Sequence, residues 1–238
     1  MRSMTVWILI MVVCLMTPAG VAAQATNSCA GYYSSNNPYP CCTNGNCTWW
    51  SWKMANENWG QQLGVRGNNW GDARSWLSRA QSNHFGVKTT PAPGTVAVNS
   101  YINGYGHVAW VYAVDSNNVY VTEMNCNTTT GMRYWQYPIT WFNGYIYRKP
   151  KISTIYPNPT WSTQNRAYTL YGNGFQSRPS VRVTFPNGGS GTLSGSQIPY
   201  ADNGQISMIA TLGNIGWYSF QVRNRDGGWS DPWWVYVM

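Results

Sequence analysis

The chain has 238 residues, 43% of them hydrophobic and 16% aromatic but only 9% charged, with a net charge of +8. That length allows one large domain or two modest ones, and no run of basic residues exceeds the pair Arg148-Lys149, which argues against a dedicated nucleic-acid groove. Abundant Trp, Tyr, Asn, Gly and Ser suit either a polysaccharide-contacting surface or a small all-β core.

Residues 1–23 read as a secretory signal peptide. Arg2 gives a positive start, "VWILIMVVCLM" is an apolar run, and Val21 and Ala23 stand where a cleavage site wants small residues. The run is too short for a stable bilayer span, and no later segment approaches the length needed. The expectation is a secreted protein, extracellular or cell-wall associated, with no membrane contact after cleavage. Residues 24–150 carry eight cations against four carboxylates, and residues 151–238 carry six against three.

Export changes the cysteine count. Without Cys14, five remain: Cys29, Cys41, Cys42, Cys47 and Cys126. In an oxidising compartment cysteines tend to pair, and five cannot all pair within one chain. A zinc site built on Cys41, Cys42 and Cys47 is the competing reading, but it lacks the C-x-x-C spacing of such sites.

In chain order, residues 47–60 predict a first helix. Trp52, Ala55 and Trp59 recur on one stripe and Cys47, Trp50 and Met54 on another, with Asn46 as N-cap and Gly60 just past the end. Residues 72–85 predict a second helix, with Asp72 at its start, Ala73, Trp76, Leu77 and Ala80 on one face, and Gly86 as its stop. Beyond "PAPG" the period changes, and residues 95–98, 106–114, 118–125 and 133–148 read as strands. After Pro150 the segments "AYTLYG", "VRVTF", "QISMIAT", "WYSFQV" and "WWVYVM" alternate between turn clusters, the pattern of a small β-sandwich. The predicted organisation is therefore signal peptide 1–23, an α+β domain 24–150 and an all-β domain 151–238.

Cys47 is best placed to be the odd thiol, because unpaired N–H groups in the first turn of a helix favour a thiolate. A nucleophilic cysteine needs a base, and the chain has two histidines. His107 follows the flexible "NGYG" and opens a strand, whereas His84 ends the second helix and reads as structural. If Asp115, Ser116 and Asn117 form the next loop, Val114 pairs with Asn118. His107 then faces Asn125 directly and Glu123 diagonally, about 7–8 Å away between backbones. A four-residue loop would turn Glu123 to the opposite face unless a bulge restored the register. An exposed edge-strand carboxylate is the alternative reading of Glu123.

These residues match a family. "NCTWW", "GNNWGDARSW", "TPAPGTVAV", "GHVAWV" and "VTEMN" follow one another, over residues 45–125, in the order and spacing of the CHAP domain (cysteine, histidine-dependent amidohydrolase/peptidase), which this stretch closely resembles. The resemblance is to the type found in secreted bacterial cell-wall hydrolases. It implies a papain-like α+β fold, Cys47 as nucleophile, His107 as base, Glu123 and Asn125 orienting the imidazole, and a peptidoglycan amide as substrate. That amide would be cleaved by an endopeptidase or by an N-acetylmuramoyl-L-alanine amidase, through a cysteine thioester. Many relatives carry Gln where this chain has Asn46, so Asn46 is a weak candidate for the oxyanion stabiliser beside the Cys47 backbone N–H.

Trp49, Trp50, Trp52 and Trp70 could wall the cleft with Tyr105 and bind substrate, or fill the core. A bond between the adjacent Cys41 and Cys42 would close a strained ring, so one of them is expected to pair with Cys29 and the other with Cys126. The second half loosely resembles immunoglobulin-like modules of the IPT type, and either binds cell wall through "GWYSF", "GGWS" and "DPWWVYV" or acts as a spacer. No metal or organic cofactor is required, and a monomer that contacts peptidoglycan or cell-wall glycopeptide but no nucleic acid is expected. The alternative is a non-catalytic cell-surface or adhesion protein with a decayed CHAP fold.

Overall fold

The computed structural model describes residues 37–39, 46–125, 131–158, 161 and 163–238. The predicted signal peptide and the four cysteines expected in bridges, Cys29, Cys41, Cys42 and Cys126, lie outside the described residues. Strands dominate, and helices are few.

Helix α1 (Cys47–Trp59) begins where the Asn46 side chain accepts a hydrogen bond from the Thr48 backbone N–H, at 3.0 Å. It ends at Gly60, whose left-handed backbone (φ 63°) lets its N–H reach the Asn56 carbonyl. Trp49, Trp50, Trp52 and Ala55 are all buried against the sheet and the neighbouring loops. Burying each indole ring contributes on the order of 4 kcal/mol, so this helix is held by its tryptophans rather than by propensity.

The second helical segment is shorter than its sequence pattern. A 3₁₀ turn at Ala73–Ser75 leads into α2 (Trp76–Ser82), and Asp72 makes no side-chain cap. The expected stop at Gly86 is corrected as well. Chain reversal falls on His84, in the left-handed region at φ 62°, and Gly86 instead opens a strand.

Six antiparallel strands form one sheet in the order β1-β6-β2-β3-β4-β5. They are β1 (Gly86–Lys88), β2 (Val96–Asn99), β3 (His107–Val114), β4 (Asn118–Met124), β5 (Met132–Pro138) and β6 (Gly144–Tyr147). The predicted strand 133–148 is thus two strands, on opposite sides of β2-β3-β4 and joined by residues 139–143. Both helices cover one face of the sheet. On the other, Ala97, Ala109, Val111, Val119 and Val121 are sealed by Phe142, Tyr145 and the 139–143 segment. A two-sided core explains why β3 reads almost continuously apolar rather than alternating.

Two further sheets pack face to face around a single core that includes Leu170, Val181, Met208, Tyr218 and Phe220. One runs β10-β9-β13-β14 and the other β11-β12-β8-β7. Their strands are β7 (Lys151–Tyr156), β8 (Thr163–Asn173), β9 (Ser180–Thr184), β10 (Ser190–Leu193), β11 (Tyr200–Ala201), β12 (Gln205–Leu212), β13 (Gly216–Arg223) and β14 (Trp233–Val237). This is a β-sandwich, with alternate residues of β12 facing inward.

The sandwich is tied to the first sheet at β1. The Val87 N–H donates to the Asp226 carbonyl at 3.3 Å, and the Trp229 N–H donates to the His84 carbonyl at 2.9 Å. Asp226 itself lies over Gly86, where an added Cβ would come within 2.4 Å of its carboxyl carbon. Asp226 is buried, and the Gly228 backbone N–H donates to its carboxylate, so it cannot swing away cheaply. Gly86→Ala should therefore destabilise the full chain by about 1–3 kcal/mol, read as a lower midpoint in urea unfolding.

Candidate active site

The site is built from the N-terminus of α1 and the facing ends of β3 and β4. Asn46 commits its Oδ1 to the helix start, accepting from the Thr48 N–H and, at 2.7 Å, from the Thr48 hydroxyl. That fixes the first turn and with it Cys47, which is partly exposed and is the free thiol among the described residues.

His107 is buried, with 8% of its surface exposed, at the first position of β3. Its entry is anchored by Arg74. The Arg74 N–H donates to the Tyr105 carbonyl at 2.8 Å, and the Arg74 side chain donates to the Gly104 carbonyl at 3.0 Å. Gly106 (φ 77°) presses so close that a Cβ there would meet the Arg74 nitrogen at 2.5 Å. Only glycine combines that contact with that backbone.

The hairpin after His107 corrects the predicted register and preserves its result. Val114 pairs with Val119, not Asn118, so the loop holds four residues. A bulge at Tyr112 then shifts the ladder, and Val111↔Val121 and Trp110↔Thr122 recover the register that the odd-length loop would have given. The same register continued to the end of β3 sets Asn125 opposite His107 and Glu123 diagonal to it. Glu123 Oε2 lies 2.7 Å from His107 Nε2. The carboxylate is completely buried, not an exposed edge residue.

Two residues that sequence reasoning missed complete this carboxylate. Arg133 sits directly across β4–β5 from Glu123 and donates to Oε1 from Nε at 2.7 Å, with a second guanidinium nitrogen at 2.6 Å. The Tyr137 hydroxyl bridges both oxygens at 3.1 and 3.2 Å. A signal did exist, since Arg133 is the single cation between Lys88 and Arg148 and lies on the strand after the lone carboxylate of β4. Trp141 stacks on Tyr137 at 4.0 Å and sets its edge against the His107 ring at 5.9 Å, closing the far side.

The electrostatics follow from these contacts. Burial pulls His107 down, but hydrogen bonds to Cys47 and Glu123, and the charges of both, outweigh it and push the imidazole up to about 9. Nε2 is taken by Glu123, which leaves Nδ1 for the sulfur. Burial alone would raise Glu123, yet His107 first and Arg133 second hold it below the ordinary carboxylate value. Burial and the Glu123 charge push Tyr137 well above an ordinary phenol, so it remains a donor.

Two open clefts meet at Cys47. One, of about 500 Å³, is lined by Asn46, Cys47, Tyr105, His107, Asn125 and Trp141, among others. The other, of about 390 Å³, shares Asn46, Cys47 and Tyr105 and runs towards Tyr39 and Asn69. Tyr105 is 68% exposed and lines both clefts. Trp49, Trp50 and Trp70, expected at the cleft wall, are instead core residues with 2%, 6% and 4% of their surface exposed, and they line neither cleft. A ring with no free face cannot stack on a sugar. Trp52 shares their fate, and its indole N–H is spent on the Gly64 carbonyl. Among the described residues no group of His, Cys, Asp or Glu could hold a metal ion.

A raised histidine value has a measurable consequence. The His107 proton stabilises the fold fully below about pH 6.5, and that contribution is lost as pH rises through about 9. Proton-detected titration of a His84→Asn variant, which retains one imidazole, should give a midpoint well above 6.5 for His107. Adding Cys47→Ala should lower that midpoint, since it removes one of the two partners that raise it.

Comparison with known proteins agrees with this arrangement. Residues 34–125 match the CHAP domain family and residues 150–232 match the IPT/TIG domain family. The staphylococcal secretory antigen SsaA of Staphylococcus aureus is 32% identical over 117 residues, covering 49% of this chain and 42% of that protein. The antigen ssaA2 of the same species is 35% identical over 97 residues, covering 40% and 32%. The chain thus spans less than half the length of these curated relatives. Among solved structures, an N-acetylmuramoyl-L-alanine amidase from Staphylococcus aureus is 27% identical with a TM-score of 0.40, covering 49% of this chain and 33% of that one. The anchored Cys47–His107–Glu123 arrangement therefore lies in a CHAP domain, and an IPT/TIG domain follows it in the same chain.

Proposed function

We propose that the protein is a secreted peptidoglycan hydrolase that cleaves an amide bond through a cysteine thioester on a papain-like scaffold. The observation that carries this reading is the position of His107, hydrogen-bonded to Cys47 on one side and to a fully buried carboxylate on the other. The CHAP match over the same residues supports it, as does the secretory character in the names of the curated relatives.

In the first half of the reaction the Cys47 thiolate attacks the amide carbonyl carbon, and the carbonyl π electrons move to oxygen. The Cys47 backbone N–H donates to that oxyanion, and the Asn46 side-chain amide, whose Oδ1 is already used by the helix cap, is the weaker candidate for a second donor. As the tetrahedral intermediate collapses, the C–N bond breaks and the His107 imidazolium gives its proton to the leaving amine. His107, now neutral, takes a proton from water. The resulting hydroxide attacks the thioester, the C–S bond breaks, and a carboxylic acid leaves. Glu123 remains ionised throughout and stabilises the imidazolium, while Arg133 and Tyr137 keep it from rotating away. Asn125, at the mouth of the cleft, helps to orient the imidazole.

The two clefts on either side of Cys47 suit a substrate that continues in both directions from the scissile bond. Tyr105, between them, is the exposed ring available to contact it.

Purified peptidoglycan digested with the protein should release soluble fragments, and mass spectrometry of their new termini identifies the bond as a peptide link or the link from muramic acid to alanine. Cys47→Ala should abolish release, and Glu123→Gln should lower kcat by roughly 10²–10⁴-fold. Release by Cys47→Ala equal to that by the unmodified protein would overturn the reading.

A further inference from the structure

The second half gathers its positive charge at one corner. Of the six cations in residues 151–238, Arg178, Arg223 and Arg225 line an open cleft of about 770 Å³, and Arg182 joins Arg223 over the ring of Trp229. The two guanidinium carbons lie 4.4 and 5.4 Å from the ring centroid. No described ion pair uses any of these four arginines. The three carboxylates of this half are engaged elsewhere. Asp202 caps its own turn, Asp226 accepts from Gln176 and Gly228, and Asp231 faces Lys149. Four like charges held together without a counter-charge repel one another, and an anion brought among them relieves that repulsion.

The aromatic surface continues from this corner. On β13, Trp217, Ser219, Gln221 and Arg223 alternate onto the outer face of the sheet, and Arg182 pairs opposite Gln221 on that face. Tyr236 pairs with Trp217 and Trp234 with Ser219. Trp217, Trp234 and Tyr236 are 58%, 56% and 44% exposed, and the rings of Trp217 and Tyr236 lie 5.3 Å apart. A β-sandwich of this size ordinarily turns polar residues outward, so a row of open rings beside a cationic cleft needs a ligand with both apolar faces and negative charge.

We propose that this corner binds a carboxylate-bearing glycan strand. The guanidinium forks take the carboxylates in paired hydrogen bonds, and the rings along β13 and β14 take the flat faces of the sugars. Anchorage of this kind is separate from hydrolysis at Cys47, and either can fail without the other.

The test uses the full chain carrying Cys47→Ala, so that no probe is consumed. The probes are soluble peptidoglycan glycan–peptide strands with free carboxylates, the same strands with their carboxyls amidated, and poly(glycerol phosphate) of similar length. Kd is read by calorimetry. Binding of the free-carboxylate strands should weaken about tenfold or more in Arg178→Ala/Arg225→Ala, and by a similar factor on amidation. Lys151→Ala/Arg166→Ala removes the same charge from the opposite sheet and should leave Kd unchanged, and matched thermal unfolding of the two double variants controls for folding. Equal affinity in the cleft variant and its parent, equal losses in both double variants, or tighter binding of poly(glycerol phosphate) than of the carboxylate strands would each overturn the proposal.

Discussion

Glu123 has no exposed surface, and a buried carboxylate is tolerated only where cations and donors surround it. Most of the unusual local geometry in the first half serves that requirement. The bulge at Tyr112 returns Glu123 to the face of His107, and β5 sets Arg133 directly across the ladder. The 139–143 segment is pinned to the end of β2 by the Asn99 amide on the Trp141 carbonyl, and so keeps Trp141 over Tyr137 and His107. Removing Arg133 or Tyr137 would leave the buried charge less fully compensated, which links the site to the stability of the sheet. With Cys47, Glu123 also raises the imidazole of His107 above its ordinary value.

Much of this site was legible in the chain. Helix α1 was fixed by short-range chemistry, an Asn cap and a Gly stop around two tryptophan stripes, and the hairpin argument named the two conditions under which Glu123 could reach His107. The structure meets the second of them, a four-residue loop whose shift is undone by a bulge. Arg133 and Tyr137 escaped notice because cross-strand partners depend on the register of a strand that follows a long connection. The fate of Trp49, Trp50 and Trp70 stayed open between wall and core, although helical spacing already pointed at least half of the tryptophans inward. In the fold, Trp49 and Trp50 are buried in the core that α1 shares with the sheet, and Trp70 packs edge-on against Trp76 and Phe85.

The sandwich was read more easily, because strands separated by turn clusters keep their period-two signal wherever one face is open to water. Its outer residues were harder to assign. Arg223 and Trp229 look unrelated in sequence, and only the antiparallel bridge between them shows that they share a surface with Arg182. Surface chemistry assembled from different strands is a property of the sheet, not of any segment.

The contact at Gly86 also decides what the first sheet presents to its surroundings. β1 is the outermost strand on its side, and a bare strand edge offers unpaired N–H and C=O groups to any other chain with the same need. Here the loop around Asp226 and Trp229 occupies that edge, bonding to Val87 and to the carbonyl of His84. The sandwich therefore acts as a built-in guard against edge-to-edge association. Separating the two halves would cost the first one not only contacts but also its protection from self-templating.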